Sequence, residues 1–100
     1  MKLPISGLEV KLKDSLTRGE MRKYELRMFS GIKGDDAEKF AINAQIQMEA
    51  MVVLMVASAD KAGEVVEVTM DYVLNMDVID FAELHDECSK RYKEITTKKN

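Results

Sequence analysis

The sequence predicts an α+β, predominantly α-helical fold, in which a small N-terminal β-hairpin or sheet packs on a long central helix and a C-terminal helix. Three observations predict it: an alternating segment at residues 8–13, a long apolar helical pattern over about residues 35–59, and a capped apolar pattern after Asp77. One hundred residues are enough for a single domain spanning residues 1–100, and the polar residues 96–100 are expected to be a disordered tail.

The N-terminal segment has the pattern of a half-buried strand. Apolar and charged side chains alternate in LEVKLK, residues 8–13, with the period of a strand that has one buried face. Ser6 and Gly7 precede it, so a short hairpin is expected between residues 3–5 and this strand. The β-branched Val65, Val66 and Val68 predict a further short strand that can join the same sheet.

A capping box predicts the first helix. Thr17 is followed three residues later by Glu20, and this pair caps a helix start by reciprocal hydrogen bonds. The helix is expected over residues 18–29. Two glycines in the following SGIKGD predict a loop at residues 30–35.

Two more capping residues predict the last two helices. Thr69 precedes a short helix over residues 70–74, and Asp77 precedes the C-terminal helix. Helical spacing predicts that one face of the C-terminal helix is buried. That face carries Val78, Phe81, His85, Cys88, Tyr92 and Ile95.

The central helix has two apolar faces. It is expected to begin near Asp35 or Asp36 and to end near Ala59, ahead of Gly63. The predicted core stripe consists of Ala37, Phe40, Ala41, Ala44, Met48, Met51, Val52, Met55 and Ala59. The second face, on roughly the opposite side, consists of Ile42, Ile46, Val53 and Ala57.

The second face has two interpretations. Either this chain covers the helix on both sides, or the face contacts another subunit or a client protein. The second interpretation predicts that Val53→Asp leaves a folded protein with weaker self-association or client binding, and the first predicts that it unfolds the chain. The apolar run at residues 50–57 is much shorter than the roughly 20 residues of a membrane span.

Charge is unevenly distributed along the chain. Residues 1–33 carry eight basic and four acidic side chains, residues 34–87 carry two and thirteen, and residues 88–100 carry five and one. The basic ends are expected to pack near the acidic middle, and the alternative is an acidic surface for a basic partner. Nucleic acid is not an expected partner, because domains that bind it are usually basic overall.

The residues do not form a catalytic or metal-binding pattern. His85 and Cys88 are helical neighbours, which could make a nucleophile, but their position between Phe81 and Tyr92 favours a packed, inert pair. A single cysteine and a single histidine cannot close a zinc site. We therefore expect no enzyme activity, metal or cofactor. The N-terminus lacks the apolar core of a signal peptide, which favours a cytoplasmic protein without a membrane partner.

The order of the elements resembles that of the tail assembly chaperones of long-tailed bacteriophages and prophages. Residues 3–26, LPISGLEVKLKDSLTRGEMRKYEL, have the family's Leu-Pro pair, glycine turn, alternating strand and Thr-capped helix. Within residues 68–88, VLNMDVIDFAEL is similar to its closing pattern of a leucine-containing turn, Asp-Phe and a helix. The resemblance implies a cytoplasmic homo-oligomer, absent from the mature virion, that keeps the tape measure protein soluble and helps to recruit tail tube subunits.

Under this resemblance, the second face of the central helix would contact a neighbouring subunit or the client. The alternative function is a small acidic adaptor or inhibitor that binds a basic protein through a spaced array of carboxylates. The candidate array consists of Asp60, Glu64, Glu67, Asp71, Asp77, Asp80, Glu83 and Asp86. A salt-sensitive complex would favour the adaptor.

Overall fold

The fold consists of four helices and one three-stranded sheet in the part of the chain that the structure describes. The computed structural model describes the backbone of residues 1–29 and 37–97, and the side chains of residues 1–26 and 44–97. The elements are β1 (Glu9–Leu12), α1 (Arg18–Phe29), α2 (Ala37–Met55), β2 (Val56–Lys61), β3 (Glu64–Val65), α3 (Met70–Leu74) and α4 (Val78–Thr97). The predicted α+β, predominantly helical class is confirmed.

Some predicted features lie outside the described residues. These are the loop at residues 30–35, the start of the central helix at Asp35 or Asp36, and the last three residues of the predicted tail. The first two residues of that tail are helical, because α4 continues to Thr97.

The sheet is antiparallel, in the order β1-β2-β3. Val10 of β1 lies opposite Ala59 of β2, and both are buried, so this pair marks the core face of the sheet. The predicted N-terminal hairpin forms as a single bridge between Lys2 and Glu9, supported by a 2.9 Å hydrogen bond from Leu3 N to Leu8 O. Gly7 follows the turn with a φ of 75°, a conformation that glycine adopts at little cost.

The central helix is shorter than predicted, and the difference explains the apolar run at residues 50–57. α2 ends at Met55, and the chain continues without a loop into β2 at Val56. Residues 50–55 lie where α2 is covered by the other helices and the sheet, and all of them except the half-buried Val53 are buried. The prediction of helix at residues 56–59 was wrong, because pairing with β1 recruits these residues as a strand.

The junction is held by backbone hydrogen bonding between the sheet and the helix. Lys13 N, just after β1, donates a 2.8 Å hydrogen bond to Met55 O at the last residue of α2. A carbonyl that the helix itself leaves unpaired is thereby satisfied. The segment formed by β1 and Lys13 therefore bonds to the last residue of α2 and also pairs with β2.

β2 and β3 are joined by a two-residue hairpin turn. Lys61 pairs with Glu64, and the intervening Ala62 and Gly63 have φ values of 51° and 85°, which is the combination a type I′ turn requires. Gly63 was predicted to stop a helix, and this was wrong. β3 is also shorter than the predicted strand at residues 65–68, although Val66 N still donates to Ala59 O at 2.9 Å.

Local signals located the starts of the other helices correctly. Thr17 and Glu20 form the predicted capping box, with hydrogen bonds of 3.0 and 3.1 Å in the two directions. Thr69 Oγ1 accepts from Tyr72 N at 3.2 Å to cap α3. Asp77 Oδ1 accepts from Ile79 N at 2.8 Å at the start of α4.

The buried face of α4 excludes one residue that was predicted to be buried and includes two that were not. Cys88 is buried as expected, and Phe81, His85, Tyr92 and Ile95 are partly buried. Val78 is exposed, which corrects its assignment to the buried face. Leu84 and Asp80 are fully buried instead, so the buried stripe lies about one position around the helix from the one expected.

Candidate interaction surface

Tyr24 links three helices beside the predicted interface. Its buried ring lies 6.0 Å, centroid to centroid, from the ring of Tyr92 on α4, with the planes inclined by 54°. Burial raises the pKa of Tyr24 and the neighbouring Tyr92 adds to this, whereas a hydrogen bond with Gln47 of α2 lowers it. The contact holds α1 against both α2 and α4.

The four residues of the predicted second face do not lie on one helix face. Ile46 is half-buried on α2. Val53, two turns later, is half-buried and packs against the core. Ala57 lies in β2, not in a helix, so the helical wheel that grouped it with the others was wrong there. Ile42 is within α2, and its side chain is outside the described residues.

Ala57 is the extra residue of a β-bulge. Lys11 pairs with Ser58 and the next residue, Leu12, pairs with Val56, so Ala57 has no partner across β1. Ala57 is exposed. Its exposure therefore comes from an irregularity in strand pairing, which helical periodicity could not reveal.

Two exposed apolar residues near this surface were not identified from the sequence. Leu26 of α1 is 65% exposed, and because it follows the buried Tyr24 by two residues it lies on roughly the opposite side of that helix. Met48, which was assigned to the core stripe, is also exposed. Together with Ile46, they are apolar residues of α1 and α2 that are at least partly exposed, and these three residues, Leu26, Ile46 and Met48, are called the α1–α2 surface.

A cleft of about 270 Å³ lies further along the same two helices. Val53, Ala50 and Leu54 contribute its apolar wall, and α1 contributes Glu20, Lys23 and Tyr24. Lys13 Nζ forms an ion pair with the Glu20 carboxylate at this site. The hydrogen bond that Lys13 donates to the Glu20 carboxylate, together with those from Thr17, lowers the pKa of Glu20 to about 2. The cleft thus combines an apolar wall with a fixed pair of opposite charges.

The ion pairs among the described residues do not join the basic N-terminal third to the acidic middle. Arg91 of α4 contacts Asp14 at 2.5 Å, and Lys90 contacts Asp86 and Glu87 within one turn of α4. These pairs are exposed or partly exposed, where each contributes little to stability. Among these pairs, those of Lys90 are the ones that join a basic end of the chain to the acidic middle, and they lie within a single helix.

Asp80 has a structural role in fixing the N-terminal turn. Its side chain is 1% exposed, and its two carboxylate oxygens accept hydrogen bonds of 2.8 Å from Ile5 N and 2.9 Å from Ser6 N. Burial alone raises the pKa of Asp80, but the hydrogen bonds from Ile5 and Ser6 and the charge of Lys61 outweigh it, so the pKa is lowered overall. Asp80 therefore cannot belong to a surface array of carboxylates.

The remaining carboxylates of the proposed acidic array differ in accessibility. Asp60 is half-buried on β2. The exposed members are Glu64, Glu67, Asp71, Asp77, Glu83 and Asp86. Six of the eight predicted members of the array are thus exposed.

His85 and Cys88 are placed as the inert interpretation predicts. Cys88 is fully buried, and burial raises the pKa of its thiol to about 12, which keeps it from forming the reactive thiolate. His85 stacks on Phe81 with ring centroids 5.9 Å apart, and burial lowers its pKa. Its Nε2 lies 3.4 Å from Ser89 Oγ. The residues that could have formed a nucleophile are packing residues here.

Two further features are absent from the described residues. Histidine, cysteine and carboxylate side chains do not gather there in groups of three or more that could hold a metal ion. None of the described helices combines the length and apolarity needed to cross a membrane.

Comparisons with protein-family models, curated proteins and solved structures find no match for this chain.

Proposed function

We propose that this protein is a non-enzymatic tail assembly chaperone of a long-tailed bacteriophage or prophage. It would act in the host cytoplasm as a homo-oligomer, bind and solubilise the tape measure protein, help to recruit tail tube subunits, and be absent from the mature virion. The proposal rests on the resemblance of residues 3–26 and 68–88 to that family and on the apolar surface of α2.

The observation that carries the proposal is the change in burial along α2. Residues 50–55 are buried except for the half-buried Val53, whereas Ile46 is half-buried and Met48 is exposed. Leu26 of α1 is a further exposed apolar residue. Exposed apolar patches on a small domain commonly mark interaction sites, and methionine adapts to varied partner surfaces.

A substitution in the α1–α2 surface tests the proposed function more clearly than one at Val53. Val53 packs against the core, so an aspartate there would reduce folding stability together with any contact. Ile46→Asp places a charge on the α1–α2 surface, and Gln45→Asp places the same charge at the adjacent exposed position. The two variants form a matched pair.

The test is co-purification of tagged protein from cells in which the surrounding genes are expressed. We expect the wild type and Gln45→Asp to recover a very long, helix-rich protein, and Ile46→Asp to recover about tenfold less, since a charge at a buried contact is strongly unfavourable. Circular dichroism confirms that both variants are folded. Recovery of no such protein by the wild type would refute the proposed function.

The second candidate function is an acidic adaptor or inhibitor, favoured by the six exposed carboxylates of residues 64–86. Such a complex would form with a basic protein and weaken steeply as salt is raised. Recovery of a basic partner that is released by salt, with equal recovery by Ile46→Asp, would favour this function over the chaperone.

A further inference from the structure

A second group of exposed apolar side chains lies where α3 and α4 meet the N-terminal turn. Four large apolar side chains there are each more than half exposed: Ile5, Leu74, Val78 and Ile79. We call this set the α3–α4 patch. None of its members belongs to the α1–α2 surface.

The Asp80 clamp places the backbones of these four residues at one corner of the fold. Ile5 N is 2.8 Å from Asp80 Oδ1, and Ile79 and Val78 directly precede Asp80 at the start of α4. Leu74 ends α3, and the link to α4 is only three residues long. The N-terminal turn, α3 and α4 therefore meet at one corner.

The corner is rigid, because hydrogen bonds hold its backbone. Asn75 N donates to Tyr72 O at 3.1 Å and Met76 N donates to Val73 O at 3.2 Å, which closes the link after α3. Asp77 caps α4, and Asp80 clamps the N-terminal turn. A partner would meet a preformed surface, so little ordering entropy would oppose binding.

The charges around the patch are mostly acidic. Asp77 directly precedes Val78, Asp71 is three residues before Leu74 on α3, and Glu83 is four residues after Ile79 on α4. All three are exposed, and none takes part in an ion pair among the described residues. Lys61 lies on one side, in a small pocket with Ser6, Asp77 and Asp80.

We propose that the α3–α4 patch binds a basic amphipathic segment of a partner protein. Such a segment would place its apolar residues on the patch and its lysine or arginine residues beside the acidic rim. An anionic membrane surface is disfavoured, because it would face the same carboxylates. This inference rests on the proposed function only for the identity of the partner, which would be the tape measure protein.

The test uses three synthetic helical peptides of equal length. The first has leucine at helical core spacing and lysine elsewhere, the second replaces leucine by serine, and the third replaces lysine by glutamate. We expect only the first to bind the wild-type protein, measured by fluorescence anisotropy. Binding of the serine peptide at equal strength would mean simple charge attraction and would overturn the proposal.

Two exposed valines provide matched variants. Val78 is 79% exposed in the patch, and Val65 is 89% exposed on β3. Val78→Ser should weaken binding of the first peptide about tenfold through lost apolar burial, whereas Val65→Ser should change it less than about twofold. Ile79→Ser, a second patch variant, should act as Val78→Ser does. Equal binding by wild type, Val78→Ser and Ile79→Ser would overturn the proposal.

Sedimentation and co-purification complete the test. If Val78→Ser abolishes self-association and no peptide binds, the patch joins two copies of this chain and the proposal fails. If the wild type and Val78→Ser recover the tape measure protein equally, the patch assignment fails while the proposed function stands. If the wild type recovers none, the proposed function fails and the peptides alone decide the role of the patch.

Discussion

Asp80 is the buried charged residue among the described side chains, and it replaces missing backbone partners in the N-terminal turn. Ile5 N and Ser6 N both donate to its carboxylate. A carboxylate can accept both hydrogen bonds, whereas an asparagine side chain has one acceptor oxygen and turns two donors towards the other backbone N–H. The position of the N-terminal turn therefore depends on the charge of this residue.

We expect Asp80→Asn to lower the free energy of unfolding by about 2–3 kcal/mol, because it leaves a buried donor without an acceptor. Urea unfolding followed by circular dichroism measures the change. Asp77→Asn is the matched control: the residue is exposed, and asparagine also caps helices well, so a change below about 0.5 kcal/mol is expected. Equal effects of the two substitutions would show that the clamp is not important for stability.

The lowered pKa of Asp80 predicts that the stability difference between the wild type and Asp80→Asn depends on pH. The pKa of Asp80 in the folded protein lies below its ordinary value of 3.8, so its contribution is present above pH 3.8 and is lost as the pH falls through the lower folded-state value. The stability difference between wild type and Asp80→Asn should therefore be largest near neutral pH and shrink below pH 3.8. A difference that grows on acidification would contradict this.

Among the elements, the β2–β3 hairpin has a residue poorly suited to its conformation. Ala62 has a φ of 51°, which costs a residue with a Cβ roughly 1–2 kcal/mol. Asparagine tolerates this region better, and Asn-Gly is the preferred sequence of a type I′ turn. The turn therefore offers a simple stabilising substitution.

We expect Ala62→Asn to raise the free energy of unfolding by about 0.5–1 kcal/mol and Gly63→Ala to lower it by about 1 kcal/mol. Thermal and urea unfolding of both variants measure these opposite shifts. Both residues are exposed, so changes in side-chain packing do not contribute to either shift. A destabilising Ala62→Asn would mean that the turn has another conformation.

The bounds of an element could be predicted from the sequence where residues next to those bounds specify them. The starts of α1, α3 and α4 follow from Thr17, Thr69 and Asp77, each of which bonds within a few residues of itself. The end of α2 does not follow from local signals: residues 50–57 are apolar whichever period they adopt, and it is β1, more than 40 residues away, that pairs with β2. The turn at Ala62 lacks the asparagine or aspartate that commonly marks a hairpin.

The candidate surface was predicted only in part for the same reason. Ile46 was identified because it lies on a regular helix, whereas Ala57 was misplaced by the unrecognised strand and its bulge. Leu26, Leu74, Val78 and Ile79 were not selected, because exposure depends on which neighbours cover a residue. The burial of Asp80 depends on a partner 75 residues away, and no spacing in the sequence indicates it.

For the molecule as a whole, Cys88 is a natural reporter of global unfolding. It is the only cysteine, it is fully buried in the core that α4 shares with α2 and the sheet, and its thiol has a pKa of about 12. We expect a thiol reagent to label the native protein at least about 100-fold more slowly than the unfolded chain, since both exposure and thiolate formation are suppressed. Fast labelling without urea would contradict the inert assignment and reopen a nucleophilic role.

If both proposals hold, the two apolar surfaces would give the molecule two separate places for partners. The α1–α2 surface consists of residues of α1 and α2, and the α3–α4 patch consists of residues of the N-terminal turn, α3 and the start of α4. A protein with two such surfaces can hold a client by one while contacting another molecule by the other. Linked weak contacts of this kind bind far more tightly than either alone.

The direct passage from α2 to β2 also limits how the length of this chain can vary. One inserted residue before Met55 would turn the preceding helix by about 100° relative to the core, and one inserted after Val56 would exchange the faces of the strand that follows. Deletions would do the same in reverse. The hairpin at Ala62 and Gly63, exposed and local, is the described position where added residues, such as a fluorescent or affinity label, should leave the rest of the molecule in place.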